Sequence, residues 1–306
     1  MSNPKVSIIV PNYNHAQFLE QRLESVFNQT FQNFEVILLD DCSTDHSIEI
    51  LNQYKTHPKV SQAIFNQKNS GSPFKQWQKG ISLAQGEYIW IAESDDYCEY
   101  IFLEKLVNKS SDFGLKYTQS YDVDDSGQVI FDRIMYTSNF KKNIWISDFK
   151  ISGNEFVDGY LLIKNVIPNA SATIFKKNLV NDDLFSNKLL NTKMCGDWWF
   201  WIHIAMQTKV YFNSSYLNYF RNHKTTTRTH DTSQKLKTRL LEEAMLRSDV
   251  YRRYRLKNSS KENALLKRWF KHFKFYQILS TEFKSIKMRQ ISWLYLYFIY
   301  FKIKLL

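Results

Sequence analysis

The chain has 306 residues, enough for one large α/β domain and an appendage. Its 23 Phe, 18 Tyr and 8 Trp, with only 8 Gly and 5 Pro, exclude extended disorder and low-complexity linkers. The net charge of +11 is not a property of the whole chain: residues 1–231 carry 23 Lys/Arg against 25 Asp/Glu, and residues 232–306 carry 18 against 5.

The first hundred residues alternate short β-branched apolar runs with amphipathic stretches, the pattern of successive βα units in a mostly parallel sheet. Val6 to Val10 reads as a strand, Ala16 to Asn28 as a helix, and Phe34 to Leu39 as a second strand that ends at Asp40 and Asp41. Ser43 or Thr44 starts the next helix, through Ile48 and Leu51. Val60 to Phe65, Phe74 to Leu83 and Glu87 to Ala92 then read as strand, helix and strand, the last running into Glu93-Ser94-Asp95-Asp96. Ligands of open α/β sheets bind at the carboxyl ends of the strands, where Pro11 to Asn14, Asp40/Asp41 and Glu93 to Asp96 all fall.

From about 115 to 175 the strands become irregular, at Leu115 to Tyr121, Val129 to Phe131 and Ala170 to Phe175. A helix from Asp197 to about Gln207 carries Trp198 and Trp199, and Tyr211 to His223 returns towards the strand ends. Residues 232–306 read as a basic, aromatic-rich helical region, separate from a domain over 1–231. Its apolar run Ile291 to Phe301 is too short to cross a bilayer, which takes about 20 residues. It suits the head-group interface, with Trp293, Tyr295, Tyr297 and Tyr300 at the boundary. A solvated cap packed on the first domain is the other reading.

Cys42, Cys98 and Cys195 are odd in number and form no CxxC pair, which argues against a disulfide framework and a zinc site. With no basic, apolar leader at Met1 to Lys5, the expected location is the cytoplasm, peripheral to the inner membrane face.

A departing nucleoside diphosphate needs its charge neutralised, and a divalent cation on carboxylate oxygens does this. Asp95 and Asp96 stand where one carboxylate meets a ribose and the other a cation, unless they are only turn residues. Asp41 can accept from a base imide and Tyr13 can cover the base, or Asp41 closes a turn and Tyr13 is core. Asp197, after Gly196, is placed as a general base, with Trp198 and Trp199 as sugar platforms. The plainer reading makes it a helix cap beside core tryptophans.

Together these residues resemble the family 2 inverting glycosyltransferases of GT-A fold, over about residues 4–230. Val6-Ser7-Ile8-Ile9-Val10-Pro11-Asn12-Tyr13-Asn14 is similar to the family's opening strand and base-binding turn, and Ser25 to Thr30 to the end of its first helix. Phe34 to Asp41 with Ser43-Thr44-Asp45, then Ala84 to Ile89 leading to Ser94-Asp95-Asp96, are similar to its second strand and DXD-type motif. The resemblance implies a mixed sheet flanked by helices, with a helical C-terminal extension. It implies a nucleotide-sugar donor bound by Pro11, Tyr13, Asn14, Asp41 and Asp95. It also implies Mn²⁺ or Mg²⁺ on Asp96, with His223 as a further ligand or a structural residue, and Asp197 as the base. Phe74 to Gly80 stands where many relatives carry Ala-Arg-Asn, and the processive QxxRW signature is absent, which favours transfer of a single sugar. A UDP-sugar is the favoured donor. The expected acceptor is a saccharide, carried on a lipid if the C-terminal region meets a membrane, in cell-surface polysaccharide or lipopolysaccharide assembly. A nucleotidyltransferase would need a Gly-rich loop, and Pro11 to Phe18 holds no Gly. A nucleic-acid binder would leave the acidic sheet edge unexplained, so no nucleic acid is expected; an inactive nucleotide-sugar binder is the remaining alternative.

Overall fold

A computed structural model describes residues 3–223, 232–289 and 292–304. Strands β1 (Val6–Asn12), β2 (Phe34–Asp40) and β4 (Tyr88–Ile91) are buried along their whole length. This is why they read as unbroken apolar runs: parallel strands covered on both faces have no solvent side. Helices α1 (Ala16–Phe27), α2 (Ser47–Tyr54) and α3 (Pro73–Leu83) connect β1, β2, β3 (Val60–Phe65) and β4. Ile8 and Val10 face Leu19, Leu23 and Val26 of α1. Their neighbour Ile9 faces the other way, towards Trp77 and Ile81 of α3.

Beyond β4 come β5 (Tyr97–Cys98), α4 (Phe102–Val107), β6 (Phe113–Val123), β7 (Val129–Asp132), β8 (Phe149–Ser152), β9 (Thr173–Lys176) and β10 (Lys209–Arg221). The sheet order is β3-β2-β1-β4-β9-β6-β10-β5, with β7 on β6 and β8 on β10. β9 lies antiparallel between β4 and β6, whereas β10 runs parallel to β6, so the sheet is mixed as expected. The helix Gly196–Ala205 packs over its centre, and every residue of it except Asp197 is buried. A helix apolar on all sides belongs in a core. Trp198 and Trp199 therefore lie inside the protein rather than on a sugar platform, their Nε1 atoms donating to Leu161 O at 2.8 Å and Asp249 Oδ2 at 2.9 Å.

Beyond the boundary expected at residue 231/232, one helix contributes to two cores. The helix Ser233–Tyr254 places Leu246 and Val250 in the main core, while its Leu240 and Ala244 join Leu265, Trp269, Phe270, Phe283 and Tyr300 in a smaller C-terminal core. Arg247 of the same helix bonds Leu162 O at 2.9 Å and is paired with Glu243. Tyr300, expected at a membrane boundary, is buried in that smaller core, and Tyr297 is partly so. Trp293 and Tyr295 are exposed, and no helix among the described residues is long and apolar enough to cross a membrane.

Candidate active site

Three turns meet at the carboxyl edge of the parallel strands. After β1, Asn14 takes a left-handed conformation (φ 56°), and its side chain accepts from Thr44 N at 2.7 Å while its own N–H donates to Ser43 Oγ at 2.9 Å. Pro11 is buried within β1 opposite Leu39, where it shapes the strand end. Tyr13, 45% exposed, presents its ring to solvent beside this turn. Asp40 closes the β2 turn through Ser43 N and Oγ. Asp41 Oδ1 accepts from Asn66, Ser70 N and Gln76, and Oδ2 accepts from Ser70 Oγ at 2.7 Å. Asp41 thus ties the loop 66–72 to Gln76 of α3, which lies in the Phe74 to Gly80 stretch that departs from Ala-Arg-Asn.

After β4 the two aspartates part company. Asp96 is buried, and each of its oxygens is engaged: Oδ2 by Asn169 and Ser171, both at 2.6 Å, and Oδ1 by Arg221 N at 2.9 Å. Burial and the Asp95 charge push its pKa up to about 7. Asp95 Oδ2 instead meets His223 Nε2 at 3.0 Å. Burial raises the Asp95 pKa, but the hydrogen bond with His223 and the field of His15 outweigh it, and the pKa falls below the usual value. Asp95, His15 and His223 offer ligand atoms that all lie within 4.8 Å of one another. This arrangement does not match the expected split of Asp96 to metal and Asp95 to ribose. The Asp96 carboxylate is committed to backbone and side-chain donors, and the outward-facing Asp95 carries the cluster.

Two arginines hold this edge: Arg22, which the sequence reading did not single out, and Arg221, which lies in the stretch up to His223 expected to return towards the strand ends. Arg22 Nε donates to Glu93 O at 2.9 Å, and its guanidinium lies 3.9 Å from Asp96. Arg221 bonds Asp95 O at 2.8 Å and the carbonyls of Asp124 and Asp125. Arg22 did carry a signal, since it shares the buried stripe of α1 with Phe18 and Val26.

Asp197 stands in the first turn of the helix Gly196–Ala205, where the positive end of the helix favours a carboxylate. A Cβ on Gly196 would lie 2.2 Å from Thr192 Oγ1 and 2.4 Å from the Phe74 ring, so only glycine lets this helix end approach α3. Asp197 Oδ2 accepts from Asn165 Nδ2 at 3.0 Å, and four residues on Asn169 bonds Asp96. Four Cα steps span at most about 15 Å. One short strap, also absent from the sequence expectations, therefore ties Asp197 to the strand-end cluster.

The family model for glycosyl transferase family 2 matches residues 7–175, more than half of the chain. The chain belongs to glycosyl transferase family 2. Glycosyltransferase GlyG of Streptococcus pneumoniae serotype 4 is 31% identical over 200 residues, 60% of each protein. Among solved structures, S. aureus TarS 1–349 in complex with UDP-GlcNAc matches with a TM-score of 0.58 at 19% identity, over 90% of this chain and 76% of that one. The mannosyltransferase PcManGT from Pyrobaculum calidifontis, in complex with GDP-Man and Mn²⁺, matches with a TM-score of 0.54 at 14% identity, over 94% and 73%. These likenesses are of fold, and the fold is the expected GT-A arrangement with a helical C-terminal extension. The chain spans between 15% and 60% of the length of the curated relatives it matches.

In this family 2 member a divalent cation suits the His15, Asp95 and His223 group. Two imidazoles and a carboxylate are donors that Mn²⁺ accepts, and the group stands where three segments converge on the sheet edge. Asp96 fits less well, because its oxygens already take three donors.

Proposed function

We propose that the chain is an inverting, metal-dependent glycosyltransferase that moves one sugar from a nucleotide diphosphate donor, with UDP favoured, to a hydroxyl of a saccharide acceptor in surface-polysaccharide assembly. The observation that supports this reading is the strap from Asn165 to Asn169, one end of which bonds Asp197 and the other Asp96. Tyr13 and Asn14 border the base, and Asp41 shapes the loop beside it. Asp95 and His223 would hold a divalent cation, which would neutralise the charge growing on the departing diphosphate. Asp197 takes the acceptor proton, the acceptor oxygen attacks the anomeric carbon from the face opposite the diphosphate, and configuration inverts.

The test is Asp197→Asn. It leaves nucleoside diphosphate binding unchanged and lowers transfer by about 10²–10⁴-fold. Turnover near the wild-type value removes Asp197 from the chemistry. A retained anomeric configuration in the product, read by nuclear magnetic resonance, overturns the single displacement.

The relatives include the poly(ribitol-phosphate) beta-N-acetylglucosaminyltransferase TarS of Staphylococcus aureus, 40% identical over 97 residues, 30% of this chain and 16% of that protein. This supports an acceptor among cell-surface polymers. The C-terminal region docks on the cytoplasmic membrane face, which suits an acceptor carried on a lipid diphosphate. Phe275, Tyr276, Leu279, Trp293, Leu294, Tyr295 and Phe298 are each more than half exposed, and Phe275 meets Phe301 at 6.2 Å, joining two parts of the patch. Their setting is the strongly basic stretch of residues 232–306.

A further inference from the structure

His15 follows the left-handed Asn14 and begins α1, yet its side chain makes no capping bond to that helix. Its Nδ1 instead meets Ser94 Oγ at 2.8 Å, across the sheet edge and one residue before Asp95. Its ring stands edge-on to His223 at 5.3 Å and tilted against Phe18 at 6.2 Å. Helix capping does not account for this orientation, and the two rings that flank it fix it.

We infer that His15 is a third protein ligand of the cation, so that the cation is resident on the chain before a nucleotide arrives. The inference rests on the reading of Asp95 and His223 as the other two ligands. Ligand atoms about 2.1 Å from a six-coordinate cation lie about 3 to 4 Å apart. The three groups, within 4.8 Å of one another, thus need only a small closure to surround an ion. Histidines that bind metals commit their second ring nitrogen to a hydrogen bond that sets tautomer and orientation. The Ser94 contact supplies that bond, which leaves Nε2 for the cation.

Chemical consequences follow from the donor set. Two imidazole nitrogens and one carboxylate oxygen leave open positions for diphosphate oxygens and favour Mn²⁺ over Mg²⁺, which prefers an oxygen shell. A site with one carboxylate and one imidazole would instead wait for the diphosphate to complete it. His15 makes the cation part of the apo protein, and nucleotide binds to a preformed positive centre.

The experiment is calorimetric titration of the full chain with MnCl₂ alone, without nucleotide, accompanied by pulsed electron paramagnetic resonance of the bound Mn²⁺. Wild type is expected to bind one Mn²⁺ with two coupled imidazole nitrogens, and Mg²⁺ at least about tenfold more weakly. His15→Gln and His15→Ala are expected to lose about tenfold or more in Mn²⁺ affinity and to retain one nitrogen coupling. Thermal unfolding checks that both remain folded. Should wild type and the His15 variants show the same affinity and a single nitrogen coupling while Asp95→Asn and His223→Gln lose binding, the inference is overturned and the two-ligand reading stands. Mn²⁺ binding insensitive to all four substitutions overturns both.

Discussion

Glu93, Asp95 and Asp96 lie within four residues yet titrate in different ranges. Glu93 is pushed up to about 8 by burial and the Asp95 charge, with Trp77 Nε1 donating to it at 2.8 Å, and Asp96 is pushed up to about 7. Both folded values exceed the ordinary 4.5 and 3.8, so these two groups hold protons in the folded chain that they have lost in the unfolded one. Their contribution to stability is therefore largest at the acid end and falls as pH rises towards 8. Glu93→Gln removes the penalty of ionising a buried acid. Its thermal midpoint, compared with wild type in metal-free buffer, is expected to gain ground from pH 5 to pH 8; a constant difference would contradict the shift. Residue by residue, the sequence made the acidic stretch visible but not its division of labour. Which aspartate turns outward depends on Asn169, Ser171 and Arg221, 73 to 125 residues away in the chain.

At the scale of elements, the helix that presents Asp197 is held from outside the matched family region. Glu242 accepts from the backbone N–H groups of Lys193, Met194 and Cys195 at 2.8, 2.8 and 2.9 Å, fixing the approach to Gly196. Asp249, about two turns further along the same face of that long helix, accepts from Trp199 and His203. Glu242→Ala strips three donors of their acceptor and is expected to cost about 1–3 kcal/mol in urea unfolding, with transfer reduced and diphosphate affinity unchanged. Unaltered stability would contradict the clamp. The periodicity located α1, α3 and the parallel strands β1, β2 and β4 to within a residue or two because burial imposed it. By contrast β5 has two residues, and β8 (Phe149–Ser152) pairs with β10 across a long loop. Neither leaves a pattern that a local reading can detect. The tryptophans after Asp197 were misassigned as a platform because aromatic residues suit sugar stacking and core packing alike. Only the burial of the whole Gly196–Ala205 helix distinguishes the two uses.

For the molecule as a whole, the charge step near residue 232 marks a change of surface rather than of core. The long helix beyond it is shared between two cores, so it joins the smaller C-terminal core to the main one. Vesicles with anionic lipid are expected to sediment the protein, neutral vesicles much less, and a Trp293→Ala/Leu294→Ala/Phe298→Ala variant at least about tenfold less than wild type. These side chains are exposed, so the fold survives their loss, and equal sedimentation of wild type and variant would contradict the docking surface. The account as a whole depends on a diphosphate held at the Asp95 cluster opposite Asp197. The most direct measurement is calorimetric titration of wild type, Asp95→Asn and Asp197→Asn with UDP in the presence and absence of Mn²⁺. The account predicts Mn²⁺-dependent binding that is kept in Asp197→Asn and weakened at least about tenfold in Asp95→Asn; UDP affinity indifferent to both Mn²⁺ and Asp95 would contradict it.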